Sequence, residues 1–176
     1  MFWCQWKCKF LILNFFKLIK LENYRNFKDY TINFSNKCNV LIGANGSGKT
    51  NILESISLFE RGRGFRKDKI QNLVNNSSKD KIFKINSKFF NKDNEVSIVI
   101  SNDNNINKNK KKLVVNGSSS IDSINFFENC FSIICFLPEM ERLFLASPAI
   151  RRNFLDKLIY GVDRSYINIL NNYKKK

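Results

Sequence analysis

"VLIGANGSGKTNIL", Val40 to Leu53, is the stretch on which the reading of the fold turns. It follows "CN", and Cys38 to Gly43 together make a nearly continuous apolar run ending in glycine, the pattern of a buried central strand. From Lys49 the apolar residues take a helical period. Ile52, Ile56 and Phe59 share one face, with Leu53 beside them. Between strand and helix, Gly43, Gly48, Lys49 and Thr50 meet the spacing G-x-x-x-x-G-K-[ST]. Glycines let such a loop bend into a nest of N–H groups, and the helix aims the positive end of its dipole at the same point. The loop Gly43, Ala44, Asn45, Gly46, Ser47, Gly48 is therefore expected to cradle the phosphates of ATP. Lys49 is expected to reach the β- and γ-phosphates, Thr50 to hold Mg²⁺ by its hydroxyl, and Asn51 to close the site.

Outward from this loop the chain reads as strands and short helices. "FKLIKLENYRNF" (16–27) and "YTINFS" (30–35) alternate apolar and polar residues like paired strands. "RGRGFRKDK" (61–69) reads as a basic turn, and "KIFKINSKFF" (81–90) with "VSIVIS" (96–101) as a hairpin. "NDNNINKNKKK" is a polar, basic loop tip before "KLVV". "SSIDSINFFENC" (119–130) suits a short helix, and "FSIICFL" (131–137) a second buried strand halted by Pro138. Ser147 as N-cap and Pro148 at the first helical position open a last helix, with Ile150, Phe154 and Leu158 as its apolar stripe. The expected class is α/β.

The whole composition sets outer bounds. A chain of 176 residues with 43% hydrophobic content can build one domain with a real core. Its formal charge of +15 points to a polyanionic partner, nucleic acid before membrane. Enrichment in Lys, Asn, Ile and Phe, the residues of AT-rich codons, is the plainer source of part of that charge. The five cysteines are irregularly spaced and there is no histidine, which disfavours a disulfide framework or a zinc site. The apolar run Phe10 to Phe16 is too short to span a bilayer and lacks the layout of a secretory signal. A cytoplasmic chain without membrane contact is expected.

Two blocks carry a resemblance. "LENYRNFKDYTINFSNKCNVLIGANGSGKTNILESISLFERGRGFR" (21–66) resembles the opening of the RecF family of bacterial recombination-mediator ATPases, and "LPEMERLFLASPAIRRNFLDKLI" (137–159) resembles a later segment of the same family. SMC-type heads share the first block only. The resemblance implies a P-loop NTPase of ABC/SMC-head type: a β-sheet ATP-binding lobe with an antiparallel subsheet, then the start of a helical lobe. The expected boundaries are an extra N-terminal segment over 1–15, the ATP-binding lobe over 16–137 and a truncated helical lobe over 138–176. The family dimerises on ATP, binds double-stranded and gapped DNA, and acts with other recombination-mediator proteins in replication and repair. In such heads the "NYRNF" turn approaches the nucleotide, which marks Arg25 and Asn26. Arg151 and Arg152 read as a solvated helix face rather than a DNA contact.

Two parts of an ABC-type ATPase have no match in the sequence. One is an apolar strand ending in a Mg²⁺-holding Asp; the other is a Ser-Gly-Gly-like signature loop. Asp103 follows intervening polar residues, Glu139 follows Pro138, and "VNGSSS" (115–120) lacks the leucine ahead of a signature. The expectation is a truncated RecF-type chain without catalytic residues of its own. The alternatives are a non-hydrolysing nucleotide- or DNA-binding module and an SMC-type head fragment.

Overall fold

A computed structural model describes residues 14–91, 94–102, 110–136, 143, 145–163 and 165–174. Two strands open the chain: β1 (Asn14–Tyr24) and β2 (Phe27–Asn33). A long excursion then carries the glycine-rich loop, helix α1 (Lys49–Ser57) and a short 3-10 turn at Ile70–Leu73. Strands β3 (Lys84–Asn91), β4 (Asn94–Asn102) and β5 (Lys111–Val115) follow. Helices α2 (Ile121–Cys130), α3 (Pro148–Val162) and α4 (Tyr166–Lys174) close the described chain.

The strands form one antiparallel sheet in the order β2-β1-β3-β4-β5. Alternation in the sequence explains its two faces. Ile19 and Leu21 of β1, Ile85 and Phe89 of β3, and Ile98 and Ile100 of β4 point to one side and are buried. One detail breaks the period. In β1 the core-facing residues run Phe16, Ile19, Leu21, an odd step followed by an even one. A bulge between Phe16 and Leu18 absorbs the extra residue, so Phe16 and Ile19 both reach the core. Phe16 joins Phe59, Phe89, Phe127 and Phe131 in an aromatic cluster with ring centroids 4.6 to 5.7 Å apart. This cluster docks α2 and the turn after α1 on the sheet.

β1 begins at Asn14, and Asn14 and Phe15 already pair with Asn91 and Phe90. The expected β1–β2 pairing and the β3–β4 hairpin are present. Ser120 caps α2, its side chain accepting from the Ser123 N–H, and Pro148 occupies the first turn of α3.

Two expected central strands are not strands. Cys38–Gly43 and the described part of 131–137 form no ladder. In both, alternate residues rest on the core, Leu41 in the first and Phe131 and Ile133 in the second. Their neighbours Val40 (74% exposed), Ile42 (91%) and Phe136 (73%) face outward. The physical reason is the lack of a neighbour: the edges of the sheet are β2 and β5, and neither pairs with these segments. The α3 stripe is likewise not core. Ile150 is exposed, Phe154 and Leu158 are half-buried, and the helix ends at Val162 rather than running on. Asp103, Pro138 and Glu139 lie outside the described residues, as does nearly all of 1–15. Cys38, Cys130 and Cys135 are free thiols. Among the described residues no helix is long and apolar enough to cross a membrane.

Candidate phosphate-binding site

The loop between Gly43 and α1 has the backbone its glycines permit. Gly46 sits at φ +81° and Gly48, the N-cap of α1, at φ +98°, both in the left-handed region that favours glycine. Gly48 is also pressed against the β1–β2 turn. A Cβ there would stand 2.5 Å from Phe27 Cζ and 2.7 Å from Asn26 Nδ2, so any side chain would have to displace these two. The Ser47 N–H donates to the Ala44 carbonyl at 3.2 Å and the Ile52 N–H to the Gly48 carbonyl at 3.0 Å, closing the turn and starting the helix. No acidic residue lies in the first turn of α1, so the positive end of its dipole is not offset by the helix's own charge.

Lys49 folds back across the loop. Its Nζ donates to the carbonyls of Gly43 and Ala44 at 2.7 and 2.8 Å. Ala44, Asn45, Gly46, Ser47 and Thr50 are exposed around it. The ammonium thus stands over a concave turn whose side chains are small and open to solvent, where an anion can meet cation, dipole and N–H groups together.

Of the two residues expected from the neighbouring turn, the structure brings one to the loop. Asn26 lies against Gly48, and its Oδ1 accepts from Asn51 Nδ2 at 2.8 Å. Arg25, expected beside the nucleotide, is engaged here by acidic and carbonyl partners behind the loop. Its Nε and Nη2 donate to Glu54 at 3.0 and 2.7 Å, Nη2 also reaches Asp68 at 2.9 Å, and Nη1 reaches the Asn72 carbonyl at 3.1 Å. Electrostatics drives this choice. Glu54, on α1, is fully buried, and a buried carboxylate is tolerable only when paired and hydrogen-bonded. Tyr24 Oη donates to it at 3.2 Å, and Arg66 Nη1 divides itself between Glu54 at 3.2 Å and Asn51 Oδ1 at 2.9 Å. Burial, with the charge of Glu54 behind it, pushes the Tyr24 hydroxyl far above its usual range. Burial is the largest single influence on Arg25 and would lower its pKa, but the hydrogen bonds and charge of Glu54 together with the Asp68 hydrogen bond outweigh it and raise the pKa. Asp68 is held below the usual carboxylate range, by the Asn72 side chain first and by Arg25 among the rest.

Glu54 escaped the reading by pattern, though a signal exists. It is the one charged residue in the otherwise uncharged run Asn51–Phe59. A lone acid on the inner face of a helix needs a cation, and Arg25 and Arg66 supply two. The result is a polar frame beneath the loop in which Arg66, Asn51 and Asn26 lead from the basic turn at 61–69 to Gly48. Among the described residues no group of three or more Cys, Asp or Glu side chains stands close enough to hold a metal ion.

The chain is similar to known proteins. Residues 16–143 match the AAA ATPase domain family. The DNA replication and repair protein RecF of Rickettsia typhi is 34% identical over 162 residues, covering 91% of this chain and 43% of the relative. Its counterpart from Rickettsia prowazekii is 32% identical over 160 residues, with the same coverage. The chain therefore spans less than half the length of these relatives. Among solved structures, the recombination mediator protein RecF with ATPrS superposes with a TM-score of 0.72 at 30% identity, covering 92% of this chain and 42% of that one. RecF with ATP gives 0.68 at 31% identity, covering 92% and 43%. The fold is thus the α/β head of a P-loop ATPase, in part. The chain belongs to the AAA ATPase domain family, and its likeness to RecF extends over nine-tenths of its own length.

Proposed function

We propose that the chain is a RecF-type nucleotide-binding module that takes ATP with Mg²⁺ in DNA replication and repair. The observation that carries this reading is Lys49, folded over a glycine cradle at the N-terminus of α1. On ATP binding the Lys49 ammonium exchanges two backbone carbonyls for β- and γ-phosphate oxygens. The backbone N–H groups of Ala44 to Thr50 take the remaining phosphate oxygens. Thr50, exposed on the first turn beside Lys49, offers its hydroxyl to Mg²⁺, an ion that offsets phosphate charge when bound. Asn26 and Asn51 hold the cradle against the β1–β2 turn, and Arg25 acts from behind through Glu54. Lys49→Ala should abolish nearly all ATP binding measured by calorimetry. Equal affinity in the two proteins would refute the reading.

A second reading, binding without turnover, is favoured by the state of Glu54. It is the carboxylate nearest the loop on α1, yet it is fully buried and paired with two arginines, so it cannot reach a metal ion or orient water. We therefore expect the chain by itself to bind ATP without hydrolysing it. Loss of one preorganised transition-state contact costs roughly 10²–10³ in rate. DNA-stimulated ATP hydrolysis that disappears in Lys49→Ala would reverse this expectation.

Partners follow from the same family reading: double-stranded and gapped DNA, a second copy of the RecF-type protein, and other recombination mediators. The +15 charge supports electrostatic, sequence-indifferent DNA binding. Its affinity should fall by about one power of salt concentration per phosphate neutralised. A flat salt dependence would count against it.

A further inference from the structure

Helix α1 has two ends, and the phosphate cradle is only one of them. At the other end the chain turns through Leu58, Phe59 and Glu60, with Leu58 and Phe59 wholly buried. The final carbonyls of a helix have no partner within it and carry the negative end of its dipole. Backbone N–H groups meet the carbonyls of Glu54, Ser55 and Ile56, and just beyond them, at the C-cap Leu58, the partner is Lys111, the first residue of β5. Its Nζ donates to the Leu58 carbonyl and to the Glu60 carbonyl, each at 2.6 Å. The side chain is bound on a strand that pairs with β4, so this contact ties α1 to the sheet directly.

We infer that Lys111 is a positioning residue for nucleotide binding, fixing α1 from its far end so that Gly48, Lys49 and Thr50 are held at the right height for phosphate. The inference rests on the reading of Gly43–Thr50 as the phosphate site. The short helix makes the coupling direct: a shift of the 58–60 turn passes along two and a half turns of rigid backbone to the cradle. Removing the ammonium takes a charged donor away from the Leu58 and Glu60 carbonyls.

The surroundings of the ammonium make the coupling readable through pH. The carboxylates of Glu60, on the same turn, and Glu128, on α2, face it, and Glu128 is itself paired with Arg61. Burial dominates over both and brings the Lys111 pKa down from 10.5 to about 8. The ammonium is therefore present at pH 7 and largely gone at pH 9.5. Between about 8 and 10.5 the unfolded chain binds the proton that the folded chain has lost, so this group's contribution to stability rises with pH. A loss of ATP affinity in that window cannot then be assigned to unfolding through Lys111.

The test is calorimetry of ATP with Mg²⁺ at pH 7 and pH 9.5 on the full chain, for wild type, Lys111→Arg and Lys111→Met, with thermal melts of each. Wild-type affinity should fall about tenfold between the two pH values, a coupling of ordinary size. Lys111→Arg, which keeps its charge, should hold its affinity at both. Lys111→Met should be weak at both. Parallel loss in wild type and Lys111→Arg would overturn the inference, as would Lys111→Met binding like wild type at pH 7. Should Lys111→Met not fold, the comparison of wild type with Lys111→Arg decides. Absence of binding in wild type at pH 7 removes the phosphate site, and this inference with it. Binding that is insensitive to residue 111 overturns the inference alone.

Discussion

Two apolar stretches of similar composition meet different fates. "VSIVIS" (96–101) becomes β4, paired on both sides, with Val96, Ile98 and Ile100 in the core. "CNVLIG" (38–43) rests on the same core through Leu41 and forms no ladder with any described strand, leaving Val40 and Ile42 in solvent. Apolar content measures what a segment gains by burial. Being a strand demands in addition a neighbour for its N–H and C=O groups. β4 has such neighbours in β3 on one side and β5 on the other; "CNVLIG" is flanked by a polar turn and by the glycine cradle.

Substitutions can break or sharpen this contrast, read by urea unfolding. The largest effect belongs to the paired region. Phe89→Ala, in the aromatic cluster on β3, should cost about 3–5 kcal/mol, and a loss below 1 kcal/mol would mean the sheet is not the stable part of the molecule. Next comes the polar frame between the two regions. Glu54→Gln removes the charge that Arg25 and Arg66 share and should cost about 2–3 kcal/mol. An unchanged urea midpoint would show that frame to be dispensable. Gly48→Ala forces a side chain into a left-handed backbone and against Phe27, for about 1–2 kcal/mol, and should weaken ATP binding as well. Preserved affinity would show that the cradle tolerates displacement from the β1–β2 turn. Smallest of all is Ile42→Ser on the unpaired stretch, expected within about 0.5 kcal/mol of wild type. A large loss there would mean that Ile42 is covered in solution and that the contrast is false.

The same contrast explains what could be read before the structure. The loop Gly43–Thr50 was legible because its chemistry is local: spacing, glycine and the switch to a helical period all fall within a dozen residues. β1, β2, β3 and β4 were legible because a half-buried antiparallel strand alternates. The bulge beside Lys17 was not, since it shows only as one irregular step in the apolar pattern. The pairing of Arg25 with Glu54 was not legible because Glu54 lies 29 residues on and is met only when α1 packs beside the turn. Asn26, next to Arg25 in sequence, contacts the loop itself, through Gly48 and Asn51. The strand readings of 38–43 and 131–137 went wrong together for one cause, a hydrophobic run taken as evidence for a ladder.

The order of the strands has a kinetic consequence. β1 lies between β2, its hairpin partner, and β3, which returns only after the whole excursion of residues 34–83. That excursion carries the glycine loop, α1 and the Arg66 turn, and the β1–β3 ladder closes it like a clasp. Closing a loop of this length costs entropy before any long-range contact repays it. The hairpins β1–β2 and β3–β4 are local and should form early, and the clasp should be the slow step. Until it shuts, Glu54 has no fixed place beside Arg25 and the cradle has no turn to rest on. A nucleotide can therefore select the chain only after that closure, and should slow its unfolding without hastening its folding.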